Sequence, residues 1–345
     1  MNSPLAKSRC LASAAAALLT LVLAGCSGDI APAVSPAASD RTATQQANRV
    51  MRVTDVPKTT GMTLLEGPTF GGDGNLYVVD VTAPSGAPKV LRVDTQRKNV
   101  STIYTDDRSV LTSAQFSPKD GRLYVTDFVS GAIRSMRADG QDVRDVFAGP
   151  VDGKPMQPDD ISFDDAGNLY VTDAAGASEP YWAAKGRVIR VDGVKAEATV
   201  LADGLASPNG IGFSPDGRDL WIGLNTGNRI DHLKLTMDGK SVATAHPAIY
   251  ASAGAAQVDS IAVDAAGNLY VGLHNRPAVL IYGDNGQLLK TIAVPAEDAS
   301  EVSSATNVAI KPGTTEAYVT ISGSGGGFLY SFEALAQGIR QSNGG

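Results

Sequence analysis

Three observations predict an all-β chain folded as a six-bladed β-propeller of four-stranded blades, closed into a ring by an N-terminal strand. An apolar stretch, a Gly-containing turn and then Leu-Tyr-Val-x-Asp or a relative recurs six times, and a repeat near this period marks a propeller blade. The repeat's aromatic position falls at Tyr77, Tyr124, Tyr170, Trp221, Tyr270 and Tyr318, at intervals of 47, 46, 51, 49 and 48 residues. Thirty-seven glycines and eighteen prolines in 345 residues, with few aromatics, favour many turns over long helices. The sixth copy also runs out of chain after FLYSFEA, so an outer strand must come from elsewhere.

From the N-terminus, MNSPLAKSRC is a short basic region, and LASAAAALLTLVLAGC is an apolar run ending in small residues. That order reads as an export signal over residues 1–25, outside the fold. Leu23-Ala24-Gly25-Cys26 resembles the lipobox of bacterial lipoproteins, which implies cleavage before Cys26 and lipid attachment to it. The chain is then expected to be exported and held at the membrane by its lipid, facing the periplasm or the cell exterior. Cys10 and Cys26 are the two cysteines, and Cys10 lies in the removed part, so the mature chain is expected to have no disulfide. Residues 26–46, rich in Ser, Ala, Pro and Thr without a hydrophobic period, read as a flexible tether.

The propeller is expected over 47–336. In each copy D-G, A-G-N or P-D-G turns join two strands into a hairpin. A third strand follows, as in KVLRVD, RVIRVD and AVLIYGD, and then a fourth, as in VSTIY, TVLAD and KTIAV. NRVMRVTDV, residues 48–56, is expected to supply the missing outer strand of the sixth blade and remove an exposed edge. Residues 337–345 are left as a C-terminal tail. Asp80, Asp127 and Asp173, at the ends of second strands, read as turn residues.

The net charge of -7 and the absence of a basic cluster argue against nucleic acid, which is bound through Lys and Arg on phosphates. Chemistry is found instead at one position per blade. Four residues before the apolar residue that closes each first strand stand Glu66, Thr112, Asp159, Asn209, Asp259 and Thr306. First strands line a propeller's axis, so these positions form a ring. Three carboxylates brought together at low dielectric repel, and a cation relieves that repulsion. All-oxygen donors suit a hard divalent ion, Ca²⁺ above all. Zinc prefers His and Cys, and His232, His246 and His274 occupy none of the ring positions.

With those residues in view, the sequence resembles the family of gluconolactonases, senescence marker protein and luciferin-regenerating enzyme. Glu66-Gly67-Pro68, Pro208-Asn209-Gly210 and Asp259 match the family's metal motifs in kind and blade order, over essentially the whole of residues 47–334. The resemblance implies a divalent metal held by Glu66, Asp159, Asn209 and Asp259, and hydrolysis of a lactone or related ester. Asp259 is then the catalytic base or nucleophile. Asp159 stands where the family usually has Asn, and Gln157 where some sugar-acid lactonases carry Arg, a departure that disfavours gluconolactone.

The loops that join second to third strands lie on the ring's face and are expected to wall the substrate. The longest, AAGASEPYWAAKG over 174–186, places Tyr181 and Trp182 either as a lid or against the neighbouring blade. Asn225, Asn228, His274 and Asn275 lie in other such loops, and Met156 and Gln157 precede blade three. A small lactone or ester is the expected partner, acted on by a monomer. The rival expectations are a non-enzymatic propeller of NHL or YVTD-like repeats that binds a protein or polymer, and a strictosidine-synthase-like propeller.

Overall fold

Short alternating segments cut by glycine turns settle into antiparallel hairpins because each turn supplies the positive φ that a tight reversal needs. The structure, a computed structural model, describes residues 42–341. The expected signal segment 1–25, Cys26 and most of the expected tether lie outside the described residues. Among the described residues every element is a strand except two single 3-10 turns, Tyr181–Ala183 and Ala296–Asp298.

The chain opens with β1 (Ala43–Gln46) and β2 (Asn48–Thr54). One four-stranded antiparallel sheet then holds β3 (Leu65–Phe70), β4 (Leu76–Asp80), β5 (Pro88–Asp94) and β6 (Asn99–Thr105) in chain order. The next holds β7 (Leu111–Phe116), β8 (Leu123–Asp127), β9 (Ala132–Met136) and β10 (Arg144–Ala148). A third contains β11 (Pro158–Phe163), β12 (Leu169–Asp173), β13 (Gly186–Val191) and β14 (Ala198–Leu205). β15 (Pro208–Phe213), β16 (Asp219–Leu224), β17 (Arg229–Leu235) and β18 (Val242–Tyr250) make a fourth. The remaining strands are β19 (Gln257–Val263), β20 (Leu269–His274), β21 (Ala278–Tyr282), β22 (Leu288–Ala293), β23 (Ser304–Ile310), β24 (Glu316–Gly323) and β25 (Gly326–Glu333). They form a nine-stranded sheet with β1 and β2, in which β20 and β23 are joined by the single pairing Leu273↔Ala305. These repeated four-stranded sheets are the architecture of a propeller.

The first strands pack side by side in a closed cycle, β3 on β7, β7 on β11, β11 on β15, β15 on β19, β19 on β23 and β23 back on β3. Their lower ends carry the apolar residue that the sequence placed there, and it meets the repeat's aromatic from the preceding sheet. Tyr77 stands edge-on to Phe116 at 5.0 Å between ring centroids, Tyr124 to Phe163 at 5.0 Å, Tyr170 to Phe213 at 4.9 Å and Tyr318 to Phe70 at 6.0 Å. Edge-to-face pairs of this kind add about 0.5–1.5 kcal/mol each beyond the area they bury.

Both termini of the described chain are bound into the fold. β2 pairs antiparallel with β25, from Asn48↔Ser331 to Thr54↔Gly327, where the sixth repeat lacks an outer strand. Residues 43–46, which the composition assigned to a tether, form β1 and pair parallel with β22 from Ala43↔Lys290 to Gln46↔Ala293. An outer strand presents a row of unpaired backbone groups, and a short polar segment can cover it at little cost. Residues 335–341, mostly assigned to a tail, cross the lower ends of the inner strands. The Leu335 amide donates to the Tyr270 hydroxyl, Gly338 bridges Asp264 and Pro312, and Arg340 donates to the Pro118 carbonyl. The Gln341 side chain makes two 2.8 Å bonds to the backbone of Phe163.

Candidate functional site

At the upper end of the inner strands the backbone departs from regular pairing in one repeated way. Each first strand carries one extra residue against its second strand, in the intervals Glu66/Thr69, Leu111/Ser113, Pro158/Ile161, Pro208/Ile211, Val258/Ile261 and Ala305/Val308. A bulge breaks the alternation of side chains, so two successive residues per strand can be re-aimed. The upper ring is Glu66, Thr112, Asp159, Asn209, Asp259 and Thr306. Beneath it come Gly67, Ser113, Asp160, Gly210, Ser260 and Asn307.

The glycines of the Glu-Gly-Pro and Pro-Asn-Gly motifs answer to close backbone approach. A Cβ on Gly67, which has φ +56°, would lie 2.4 Å from the Ala114 nitrogen, and one on Gly210 would lie 2.6 Å from the Ile261 nitrogen. Neighbouring inner strands therefore touch backbone to backbone at these points, which brings the upper-ring side chains together.

Glu66, Asp159 and Asp259 are all buried, at 6%, 7% and 2% exposure. Burial pushes the Glu66 carboxyl well above its ordinary range, and the charges of Asp259, Asp159 and Asp160 push it further. Burial, then the charge of Asp259, pushes Asp159 up to about 8, against a hydrogen bond from Thr112. Asp259 is raised by burial and held back by the neighbouring His274 imidazole, whose Nδ1 lies at an ion-pair distance of 3.7 Å from Asp259 Oδ2. The same contact raises the His274 imidazole. The Asn209 amide sits among these acids: its Nδ2 donates to Asp159 Oδ2 at 3.0 Å, and it hydrogen-bonds Asp259. Mutual repulsion raises carboxyl pKa values in this way when acids share a site.

The second tier is the part that the sequence reading missed. Asp160, 1% exposed, is also pushed well above the usual carboxylate range by burial and by Asp159, and its Oδ2 has no hydrogen-bond partner. Ser260 Oγ donates to Asn209 Oδ1 at 3.4 Å and accepts from Asn307 Nδ2 at 2.6 Å. The signal was present one residue after each ring position, where a buried strand carries only small or polar side chains. The threonines of the upper ring are structural: Thr112 donates to the Pro158 carbonyl at 3.1 Å and Thr306 to the Leu65 carbonyl at 2.6 Å, each tying one sheet to the next.

The loop residues divide. His274 reaches Asp259, and Asn225 Nδ2 donates at 2.8 Å to the Val258 carbonyl, just before Asp259. Asn228 Nδ2 bonds the Ala256 carbonyl at 3.1 Å and steadies the loop into β19. Met156 and Gln157 line a cavity of about 790 Å³ beside the ring, with Phe128, Val129, Pro155 and Ala184. Gln157 is fixed through its backbone amide, which donates to Asp173 Oδ1 at 2.7 Å. Asp173 also pairs with the buried Arg187 at 2.6 Å, a structural role like that expected of the strand-end aspartates. Tyr181 and Trp182 do not pack against the neighbouring blade. They are 61% and 76% exposed and stack edge-on to each other at 5.1 Å, because the single 3-10 turn that carries them buries no side chain. His232 and His246 lie far along the outer strands of the fourth sheet, stacked with each other at 5.3 Å between ring centroids.

Among the described residues, no group of three or more His, Cys, Asp or Glu side chains is drawn together closely enough to hold a metal ion as it stands. The donors are nonetheless chemically suited to one. They are all oxygen, they are buried, they repel one another, and Asp160 Oδ2 lacks a partner, which fits a hard divalent cation better than a neutral ligand.

Residues 64–322 match the family model described as the SMP-30/gluconolactonase/LRE-like region. The chain belongs to this family. Its curated relatives include lactonase drp35 of Staphylococcus saprophyticus, 30% identical over 282 residues that cover 79% of this chain and 84% of the relative. Among solved structures it is similar to a gluconolactonase from Xanthomonas campestris, with a TM-score of 0.65 at 20% identity over 84% of this chain and 97% of that one. It is also similar to regucalcin from Agrobacterium tumefaciens, described as a calcium-binding protein, with a TM-score of 0.66 at 14% identity over 87% of this chain and 98% of that one. Family membership places the chain among hydrolytic enzymes.

Proposed function

We propose that the chain is a divalent-cation-dependent hydrolase that opens a lactone or related ester at the upper end of a six-bladed propeller closed by β2. The observation that carries this reading is the burial of three acids, Glu66, Asp159 and Asp259, around the half-buried Asn209 amide, the four residues coming from four separate sheets. Glu66, Asp159, Asn209 and Asp259 are the residues that would hold the cation, with Ca²⁺ the best match to four oxygen donors. When bound, the ion supplies Lewis-acid polarisation of the substrate carbonyl.

The chain's own residues supply the rest. Asp259 takes one proton of the attacking water as its oxygen bonds to the carbonyl carbon, and returns that proton to the leaving oxygen as the ring C–O bond breaks, which leaves a carboxylic acid and an alcohol on one open chain and restores the carboxylate. His274, 3.7 Å from Asp259, faces that carboxylate and can orient it. The closed cycle of inner strands and the pairing of β2 with β25 support the six-bladed reading. The cavity pairs an apolar wall of Met156, Phe128, Val129 and Pro155 with the charged side chains of Lys154, Lys185 and Arg187, which favours a substrate with both an apolar and a polar part. Gln157 itself offers no positive charge to a sugar-acid carboxylate, and Lys154, Lys185 and Arg187 are the cations of that cavity.

Calcium titration by calorimetry on the full-length chain in detergent, followed by a panel of lactones and aryl esters, tests the reading. About one Ca²⁺ per chain and calcium-dependent lactone opening are expected. Absence of calcium binding removes the cation site, and binding without turnover favours the non-enzymatic propeller. We propose further that Cys26 is the lipidated first residue of an exported, monomeric mature chain, supported by the Leu-Ala-Gly-Cys sequence. Mass spectrometry of the N-terminal peptide after expression in a bacterium tests this, and an unmodified Cys26 rejects it.

A further inference from the structure

The Asn209 side chain faces the wrong way for a ligand. Its Nδ2 points at the Asp159 carboxylate and hydrogen-bonds Asp259, whereas its Oδ1 is turned away and accepts from Ser260 Oγ at 3.4 Å. An amide NH₂ has only donors and cannot ligate a cation. To do so Asn209 must present Oδ1, and the two orientations of an amide fill the same space.

Turning Asn209 aims its NH₂ at Ser260. The Ser260 hydroxyl has two lone pairs and one proton. One lone pair already accepts from Asn307 Nδ2 at 2.6 Å, so the second can accept from Asn209, provided that the proton leaves the Asn209 side. Its alternative acceptor is Asp160, whose carboxyl is within hydrogen-bonding range of Ser260 and whose buried Oδ2 lacks a partner. We propose that Ser260 and Asp160 are positioning residues that form a relay: cation entry turns the Asn209 amide, Ser260 switches its hydroxyl proton from Asn209 Oδ1 to Asp160, and the Asp160 carboxyl gains the donor that it lacks before the switch. Asn209 and Ser260 have partners in both arrangements, which makes the element bistable, with the cation as the bias. The inference rests on the reading of the ring as a cation site.

The test is calcium calorimetry on the full-length chain, comparing wild type with Ser260→Ala, Ser260→Thr, Asp160→Asn and the Ser260→Ala/Asp160→Asn double variant. Losing one hydrogen bond made only in the bound arrangement predicts about tenfold weaker binding for Ser260→Ala. Ser260→Thr, which keeps the hydroxyl, restores the wild-type value. The double variant binds no more weakly than Asp160→Asn alone, because the two residues act through one path. Wild-type affinity in Ser260→Ala, or losses that multiply in the double variant, overturns the relay. Independently of how the variants fold, the side-chain amide resonances of Asn209, assigned with Asn209→Asp, shift on calcium addition to the wild type, and unchanged resonances overturn the relay. A wild type that binds no calcium overturns the cation reading itself, which is a separate failure.

Discussion

The two ends of the inner strands start from the same repeat and come out opposite. At the lower end every strand closes on an apolar residue, Phe70, Phe116, Phe163, Phe213, Val263 or Ile310, and most of these residues meet an aromatic from the sheet before. At the upper end the six ring positions mix four residue types and include three buried acids whose pKa values are raised by burial first and, at Glu66 and Asp159, by the charge of neighbouring acids. One end lowers the energy of the fold by repeating itself. The other departs from the repeat and places charges where folding alone would not keep them, the mark of a site rather than a scaffold.

Substitutions at the two ends should therefore separate activity from stability. The largest effect expected is at Asp259→Asn: loss of the base lowers lactone turnover about 10²–10⁴-fold, while the calcium-free melting temperature holds or rises because one repelling charge is gone. A lowered melting temperature with unchanged turnover would merge the two ends into one structural role. Phe163→Ala, at 1% exposure, inverts the pattern. It costs about 3–5 kcal/mol in denaturant unfolding, with calcium affinity close to wild type under folding conditions.

A smaller effect concerns pH. Asp159 has a folded pKa of about 8 against about 3.9 in an unfolded chain, so between these values the folded protein holds a proton that the unfolded chain has released. Stability of the calcium-free protein then falls as pH rises from about 4 to 8. Glu66, Asp160 and Asp259, also raised, contribute with the same sign. Thermal melts in chelator across this range check it, and Asp159→Asn flattens the slope. The smallest effect belongs to the lower end's covering segment: Gln341→Ala removes two bonds to Phe163 and costs about 1 kcal/mol, with turnover unchanged.

The lower end was the more legible in sequence because its residues recur. Period and turn chemistry located each aromatic, and counting back four from the closing residue located Glu66, Asp159, Asn209 and Asp259. Asp160, Ser260 and Asn307 were not found because a strand read as regular alternation sends the next residue to the opposite face, and nothing in the sequence marks the extra residue that re-aims it. Of the two expectations for Tyr181 and Trp182, packing against the neighbouring blade failed because an aromatic pair in a long loop can satisfy itself by an edge-on contact at the surface. β1 escaped because ATQQ has no apolar face, and an edge strand held by backbone bonds needs none.

The pairing of β2 with β25 joins Asn48 to Ser331 across nearly the whole length of the domain. An early strand must wait for the last of the described strands, and the intervening sheets can form from local hairpins in the meantime. Until β25 arrives, the hydrogen-bonding groups of β2 have no lasting partner. The slowest step in acquiring the native state should thus be this last zippering, and a chain stopped short of β25 should remain a row of hairpins with an open seam, exposed to proteases and to neighbours of its own kind.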